Sequence, residues 1–166
     1  MRLLALTLAL SAFAVPALAQ NAPHHRAGEE AVDPYEASPA NAGAEPFEGD
    51  EMWTAFGGAE GVSRIVDGML ERSTTDPRTA DIFRATDMVR LRRTLREQFC
   101  FILGGGCIYT GRSMADAHDE IGLQASDFGA LVEHLQAAMR DESIPFHVQN
   151  RFLAKLAPMH RDTVTR

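Results

Sequence analysis

The stretch GGGCIYTGRSMADAH, residues 104–118, is the least regular part of the chain, and the interpretation of the rest depends on it. Three consecutive glycines open it, and only a short helix, from about Ser113 to Glu120, can follow. A loose segment of this kind in a small domain needs something to pack against, and a prosthetic group or a disulfide would serve. His118 closes the stretch. Its position alone allows a metal ligand, an acid or base, or a residue at a helix end, and composition favours the last.

Around this stretch the apolar residues follow a helical period. Four apolar stripes begin after Gly57-Gly58, Thr86-Asp87, Ser126 and Pro145. Their members are Val62, Ile65, Val66, Met69 and Leu70; Met88, Leu91, Leu95, Phe99 and Ile102; Phe128, Leu131, Val132, Leu135 and Met139; and Val148, Phe152, Leu156 and Met159. We find no period-two strand and no internal repeat. Residues 51–166 are therefore predicted to form one all-α domain.

The first 50 residues carry two different signals. Residues 1–19 have a positive start, a short apolar run and an Ala17-Leu18-Ala19 end, which is typical of a secretory signal peptide. We therefore expect an exported protein, in the bacterial periplasm or beyond. Residues 20–50 are rich in Ala, Pro, Gly and Glu and are predicted to be a disordered acidic tether, in which His24-His25 is a solvated pair.

Charge and hydropathy exclude two classes of partner. Residues 20–50 hold seven acids against Arg26, whereas residues 51–166 hold sixteen acids against fourteen bases. Because the domain is near neutral, nucleic acid is not expected as a partner. The apolar run of the leader is too short for a permanent membrane helix, so no stable membrane insertion is expected after cleavage.

Two cysteines, Cys100 and Cys107, flank the glycine run. In an oxidising exported compartment an even count favours a disulfide, which would fix the end of the second stripe to the loop that leads to His118. Two buried free thiols are the alternative. No zinc-finger spacing and no C-x-x-C-H signature for c-type haem attachment accompanies them.

Several motifs resemble those of a known family. They are MWTAFGG at 52–58, the Asp76-Pro77-Arg78 corner, Phe83, the glycine run, Tyr109-x-Gly111-Arg112-x-Met114, and the histidine four residues after Met114. In this order and spacing they look like the truncated haemoglobins, most like the first group. The resemblance covers about residues 52–164 and implies a two-over-two helical sandwich that holds haem b.

The resemblance implies roles for the candidate site residues. His118 stands at the position of the family's proximal haem ligand, and a neutral imidazole suits iron. Met114 lies one turn before it, and Phe83 matches the haem-contacting phenylalanine. Candidates for the haem propionates are Tyr109, Arg112, Arg93 and Thr94, while the neighbouring Arg90, Arg92 and Arg96 are expected to be solvated.

The distal side departs from the family. Many first-group members have a tyrosine at the position of Leu70, with glutamine or histidine at positions matching Leu91, Thr94 or Leu95. Here Met69, Leu70, Leu91 and Leu95 would form an apolar distal wall. We therefore expect faster release of dioxygen and an open ferrous site. His160 loosely matches a histidine that bonds to haem in a few members; we expect it, with His134 and His147, at the surface.

Three functions remain open at this level. The first is a binding protein that reversibly holds dioxygen, nitric oxide or carbon monoxide for transport, storage or sensing, as a monomer or weak dimer. The second is an enzyme, a nitric oxide dioxygenase or a peroxidase-like protein, and it would need a reductase or a distal acid/base. The third is a helical interaction module without a cofactor. The apolar distal wall favours the first.

Overall fold

The computed structural model describes residues 26–166. The predicted signal peptide, residues 1–19, and the His24-His25 pair lie outside the described residues, so both remain predictions. Within residues 26–166, no helix combines the length and the apolar character needed to cross a membrane.

Between residues 26 and 166 the regular structure is helical, and the predicted all-α fold is confirmed. The α-helices are α1 Glu51–Ala55, α2 Gly58–Thr75, α3 Ala80–Phe83, α4 Met88–Ile102, α5 Met114–His118, α6 Ala125–Asp141, α7 Phe146–Leu156 and α8 His160–Thr163. Short 3-10 helices cover Pro39–Ala42 and Ala157–Met159. The four apolar stripes correspond to α2, α4, α6 and α7.

Local chemistry sets where the helices begin. The Asp87 carboxylate accepts hydrogen bonds from the N–H groups of Val89 and Arg90 and so caps α4 as predicted. The Ser113 hydroxyl accepts from the N–H of Asp116, which caps α5. Helix α6 begins at Ala125, one residue before Ser126, because Asp127 accepts from the N–H of Gln124 at 2.9 Å in a capping box.

The join between α1 and α2 requires glycine. Gly57 has a φ of 73° and Gly58 a φ of 63°, a region that L side chains rarely adopt. A Cβ on Gly61 would lie 1.9 Å from the carbonyl oxygen of Phe56. The Gly57-Gly58 break in the sequence therefore marks a tight turn that lets α1 fold back on the start of α2.

The core lies where α2 and α4 cross α6 and α7. Helix α2 packs mainly against α6 and α4. Phe152 of α7 is fully buried and meets the rings of Phe56 and Phe99, each at a centroid distance of 5.0 Å. These contacts bring all four long helices to one hydrophobic core, as in a two-over-two sandwich.

One predicted stripe is buried along only half of its length. Phe99 and Ile102, in the last turns of α4, are buried, whereas Met88, Leu91 and Leu95 are only partly buried and pack at the edge of the core. The first half of α4 thus presents apolar side chains that the protein does not cover completely.

The prediction of a disordered tether over residues 20–50 is wrong for residues 26–50, which follow a defined path along the helical domain. Ala42 is fully buried, and the N–H of Phe47 donates to the carbonyl of Ile102 at 2.8 Å. The segment has few large aliphatic residues, but ion pairs and hydrogen bonds to α4 and the following loop supply the contacts that composition does not reveal.

The predicted disulfide is present. Cys100, near the end of α4, is bonded to Cys107 in the loop. Gly105 lies inside this ring, and a Cβ there would come within 2.7 Å of both Cys100 Sγ and the Trp53 ring. The disulfide and Trp53 therefore hold the glycine run close against the end of α4.

Candidate functional site

Helix α5 holds His118 in a defined orientation. The imidazole Nδ1 lies 2.7 Å from the carbonyl oxygen of Met114, one turn earlier. Because a carbonyl only accepts, Nδ1 carries the proton and donates, and in the neutral ring Nε2 keeps its lone pair. The side chain is only partly buried. His118 therefore offers one oriented nitrogen ligand, the state that a histidine needs to bind iron.

The predicted apolar contact residues belong to the hydrophobic core or pack against it. Leu70 is 1% exposed and belongs to the buried core. Phe83, Leu91, Leu95 and Met114 are partly buried and all pack against that core. Incomplete burial of large apolar side chains at a core edge leaves apolar surface that a flat hydrophobic group could cover.

Thr94, the one polar residue predicted beside the distal wall, uses its hydroxyl within its own helix. Its Oγ1 lies 3.1 Å from the carbonyl oxygen of Arg90 and 3.2 Å from that of Leu91. The hydroxyl proton is directed at these carbonyls, so Thr94 offers no donor to a ligand in this arrangement.

Arg93 lies in a network of acidic partners. Its guanidinium forms a bidentate ion pair with Glu29, with Nη2 3.0 Å from Oε2 and Nε donating to Oε1. Nη1 donates to Glu97 at 3.0 Å and to the Thr110 hydroxyl at 2.7 Å. The hydrogen bond to Glu29, ahead of that to Glu97, raises the pKa of Arg93 above its usual range. Arg93 could meet a haem propionate, as predicted, only by exchanging these bonds.

Tyr109 and Arg112 are also engaged within the protein. Tyr109 is buried, and its hydroxyl donates to the carbonyl of Arg112 at 3.0 Å. A Cβ on Gly111 would lie 2.2 Å from that hydroxyl, which explains the Tyr-x-Gly spacing. The Arg112 guanidinium stacks on the Tyr35 ring at 5.4 Å. The predicted propionate contacts of these two residues would likewise require rearrangement.

Burial dominates the electrostatics of Tyr109. Desolvation, and then the nearby Tyr35 and Glu97, raise the pKa of the Tyr109 phenol well above its usual range. The hydroxyl thus stays protonated at every physiological pH. It can act as a donor to the Arg112 carbonyl but not as a base.

A second polar cluster was not anticipated from the sequence. His134, predicted at the surface, is 6% exposed, and the prediction is wrong because its ring lies between the buried Ser73 and the partly exposed Asp76. Nδ1 lies 3.0 Å from Ser73 Oγ and Nε2 lies 3.0 Å from Asp76 Oδ2. Arg78, and then His134, hold the pKa of the Asp76 carboxyl well below its usual range. Ser73 is fully buried and its hydroxyl donates to the carbonyl of Met69, so these three residues link α2 to α6.

The other two histidines are exposed, as predicted. His147 lies on α7, and His160 begins α8, where its ring meets that of Phe128 edge-on at 5.0 Å. Among residues 26–166, no three His, Cys, Asp or Glu side chains come together as a metal site. A metal at His118 would therefore need its other ligands from a prosthetic group.

Glu29, Tyr35 and Glu97 are the contact residues that sequence analysis missed. Glu29 and Tyr35 lie in the segment predicted to be disordered, and Glu97 follows Arg93 by one helical turn. Only this last spacing, an i,i+4 pair of opposite charge, was visible in the sequence.

Comparisons with known proteins agree with the geometry. Residues 51–165 match the bacterial-like globin family. A group 1 truncated haemoglobin of Mycolicibacterium paratuberculosis is 28% identical over 69% of this chain and 84% of its own length. One from Nostoc commune is 33% identical over 53% of this chain and 75% of its own length.

Solved structures give the same fold. The Fe(III) form of a truncated haemoglobin from Tetrahymena pyriformis superposes with a TM-score of 0.66 at 23% identity, covering 69% of this chain and 98% of that one. The 2/2 haemoglobin from Synechococcus sp. PCC 7002, solved with covalently attached haem, gives a TM-score of 0.64 at 22% identity, covering 69% and 98%.

Proposed function

This chain belongs to the group 1 truncated haemoglobins of the bacterial-like globin family, and from this premise we propose that it binds haem b through His118 and holds a diatomic gas reversibly. One observation carries the proposal. The His118 imidazole is fixed by the Met114 carbonyl so that its Nε2 lone pair is available, on a short helix beside an incompletely covered apolar edge.

The residues present fit the group. His118 would supply the axial nitrogen, and Met114, Phe83, Leu91 and Leu95 would supply apolar contacts to the porphyrin faces. Leu70 would limit the distal space. When bound, the haem would supply an iron that can take a diatomic gas, and His118 would hold that iron.

The distal wall argues for a carrier or sensor rather than an enzyme. Leu70, Leu91 and Leu95 carry no acid or base, and the Thr94 hydroxyl is directed into its own helix. Peroxidase chemistry needs a group that moves a proton at the distal side, and these residues provide none. Bound dioxygen is stabilised by a distal hydrogen bond, which such a wall does not supply. The wall therefore favours gases that do not depend on that bond.

Substitution of single histidines tests the proposal that His118 binds the haem iron. The haem-free protein is titrated with haemin, and His118→Ala is compared with His147→Ala, a matched change at an exposed histidine. We expect His147→Ala to bind haem as the wild type does and His118→Ala to lose stable haem or the histidine-ligated spectrum. A retained histidine-ligated spectrum in His118→Ala would contradict the assignment.

We further propose that the chain acts outside the cytoplasm, supported by the sequence of residues 1–19 and by the Cys100–Cys107 bond. In that setting any reductase is a separate protein, and the chain acts as a monomer or weak dimer. Cell fractionation with N-terminal sequencing of the purified protein tests this; a chain that begins at Gln20 supports export, and an intact leader in the cytoplasm contradicts it.

A further inference from the structure

The segment of residues 26–43, here called the strap, runs from helix α4 to the loop before α5. At its first end Glu29 forms the bidentate ion pair with Arg93 and lies 3.5 Å from Arg90. The Glu29 side chain is only 1% exposed. A charge buried to this degree requires matched partners, so the ion pairs fix this end of the strap on α4.

The middle of the strap contacts the loop on the other side. The Tyr35 hydroxyl donates to the carbonyl of Thr110 at 2.7 Å, and Asn41 Nδ2 donates to the carbonyl of Gly111 at 3.2 Å. Arg112 stacks on the Tyr35 ring. Three successive loop residues are thus held by the strap.

The last residues of the strap lie in the core beside helix α5. Ala42 is fully buried and accepts a hydrogen bond from Gln98 Nε2 at 2.9 Å. The same Nε2 lies 3.5 Å from Met114 Sδ. Gln98 therefore joins the strap, α4 and the first residue of α5 at one buried point.

These contacts join the two parts of the protein between which haem would sit. Helix α4 carries Leu91 and Leu95, and the loop leads directly into Met114 and His118. In the proposed binding mode haem would contact both parts, so its release would be faster when they can separate, and the strap spans both of them.

We propose that the strap slows the loss of haem by holding α4 and the loop before α5 together. It acts as a clasp in which the Glu29–Arg93 ion pair is the main attachment. The inference rests on the proposed haem binding but concerns a segment, residues 26–43, that lies outside the family match, which begins at residue 51. It predicts that weakening the clasp speeds the loss of haem without changing its axial ligand.

The test compares Glu29→Gln with Glu30→Gln. The two changes remove the same charge at adjacent positions, but the Glu30 residue is exposed and Glu29 is held by Arg93. Haem uptake is measured first by titration with haemin. Haem loss is then followed as transfer to an excess of a haem-scavenging apoglobin.

We expect Glu29→Gln to lose haem about tenfold faster than Glu30→Gln, the ratio that corresponds to one charge-assisted hydrogen bond. Equal rates of haem loss in the two variants would overturn the proposal. A slower rate in Glu29→Gln would also overturn it, because Glu29 would then compete with a propionate for Arg93. Absence of haem uptake in the wild type would instead contradict the proposed function itself.

A second readout uses the haem-free protein. The Thr110 N–H donates to Glu97 at 3.1 Å, and Glu97 pairs with the same Arg93 that holds Glu29. We expect amide hydrogen exchange of residues 108–113 to be faster in Glu29→Gln than in Glu30→Gln. Identical exchange would show that the strap does not stabilise the loop.

Discussion

Leu70 is the residue at which the proposed distal wall can be given a hydrogen-bond donor. Replacing Leu70 by Tyr places a phenol where many first-group truncated haemoglobins have one, and we expect dioxygen release to slow by about ten- to a hundredfold, since a hydrogen bond to a charged group contributes about 1.5–3 kcal/mol. Stopped-flow spectroscopy measures the rate. Leu70→Phe is the control, because it adds the ring without the hydroxyl, and an equal effect of both changes would contradict the donor argument.

Glu29 gives the molecule a predictable response to acid. The hydrogen bond from Arg93 lowers the pKa of the Glu29 carboxyl from 4.5 to about 2. A lowered carboxyl pKa stabilises the folded state above about pH 4.5, and this stabilisation is lost as the pH falls towards 2. We therefore expect the free energy of unfolding of the haem-free wild type to exceed that of Glu29→Gln by about 1–3 kcal/mol near pH 6.

The same comparison at lower pH checks the sign. Between pH 4.5 and 2 the difference between the two proteins should shrink, because Glu29 of the unfolded wild type takes up a proton in this range while Glu29 of the folded protein stays charged. Urea unfolding at a series of pH values measures it. A difference that is constant across this range would show that the Glu29 charge does not stabilise the fold.

His118 and His134 differ in how far their surroundings can be predicted from the sequence. The motif spacing around His118 resembles that of a known family and so predicts a haem ligand, and the structure adds the Met114 carbonyl that orients the imidazole. His134 was misplaced because nothing in the local sequence shows that Ser73 and Asp76, about 60 residues away, converge on its ring.

At the scale of elements, the disulfide fixes the glycine-rich loop before α5 to the end of α4. It closes a short loop from the end of α4 to Cys107, and Gly105 packs against it. We expect the double change of Cys100 and Cys107 to alanine to lower the free energy of unfolding by about 2.5 kcal/mol, as chain entropy predicts for a loop of this length.

Denaturant unfolding of the oxidised wild type, the reduced wild type and the double variant measures this effect. The reduced wild type serves as the control for the lost side chains, since it keeps both sulfur atoms. If reduction leaves the stability unchanged, the loop is held by its packing against Trp53 and the strap rather than by the bond.

The long helices could be predicted because each has an apolar stripe of helical period and a recognisable start, such as Asp87 before α4. The strap could not, because hydrogen bonds such as that from Tyr35 to the Thr110 carbonyl join positions 75 residues apart. Periodicity reports the burial of a helix face and carries no information about such polar contacts.

At the scale of the whole molecule, the chain is a truncated globin fold with a strap across one edge. The four long helices build the core, the disulfide and glycine run place α5, and the strap joins α4 to that loop. The proposed function rests on this arrangement. His118 is oriented by the Met114 carbonyl, and the predicted distal residues Leu70, Leu91 and Leu95 are apolar, which supports the proposal of gas binding over proton-coupled catalysis.

The proposed haem site is tested most directly by an absorption spectrum. The mature protein is reconstituted with haem, and the spectrum of its ferrous form is recorded before and after addition of carbon monoxide. We expect a broad five-coordinate ferrous band that shifts sharply with carbon monoxide. Sharp, split six-coordinate bands would contradict the open distal site, and a failure to take up haem would contradict the proposed function.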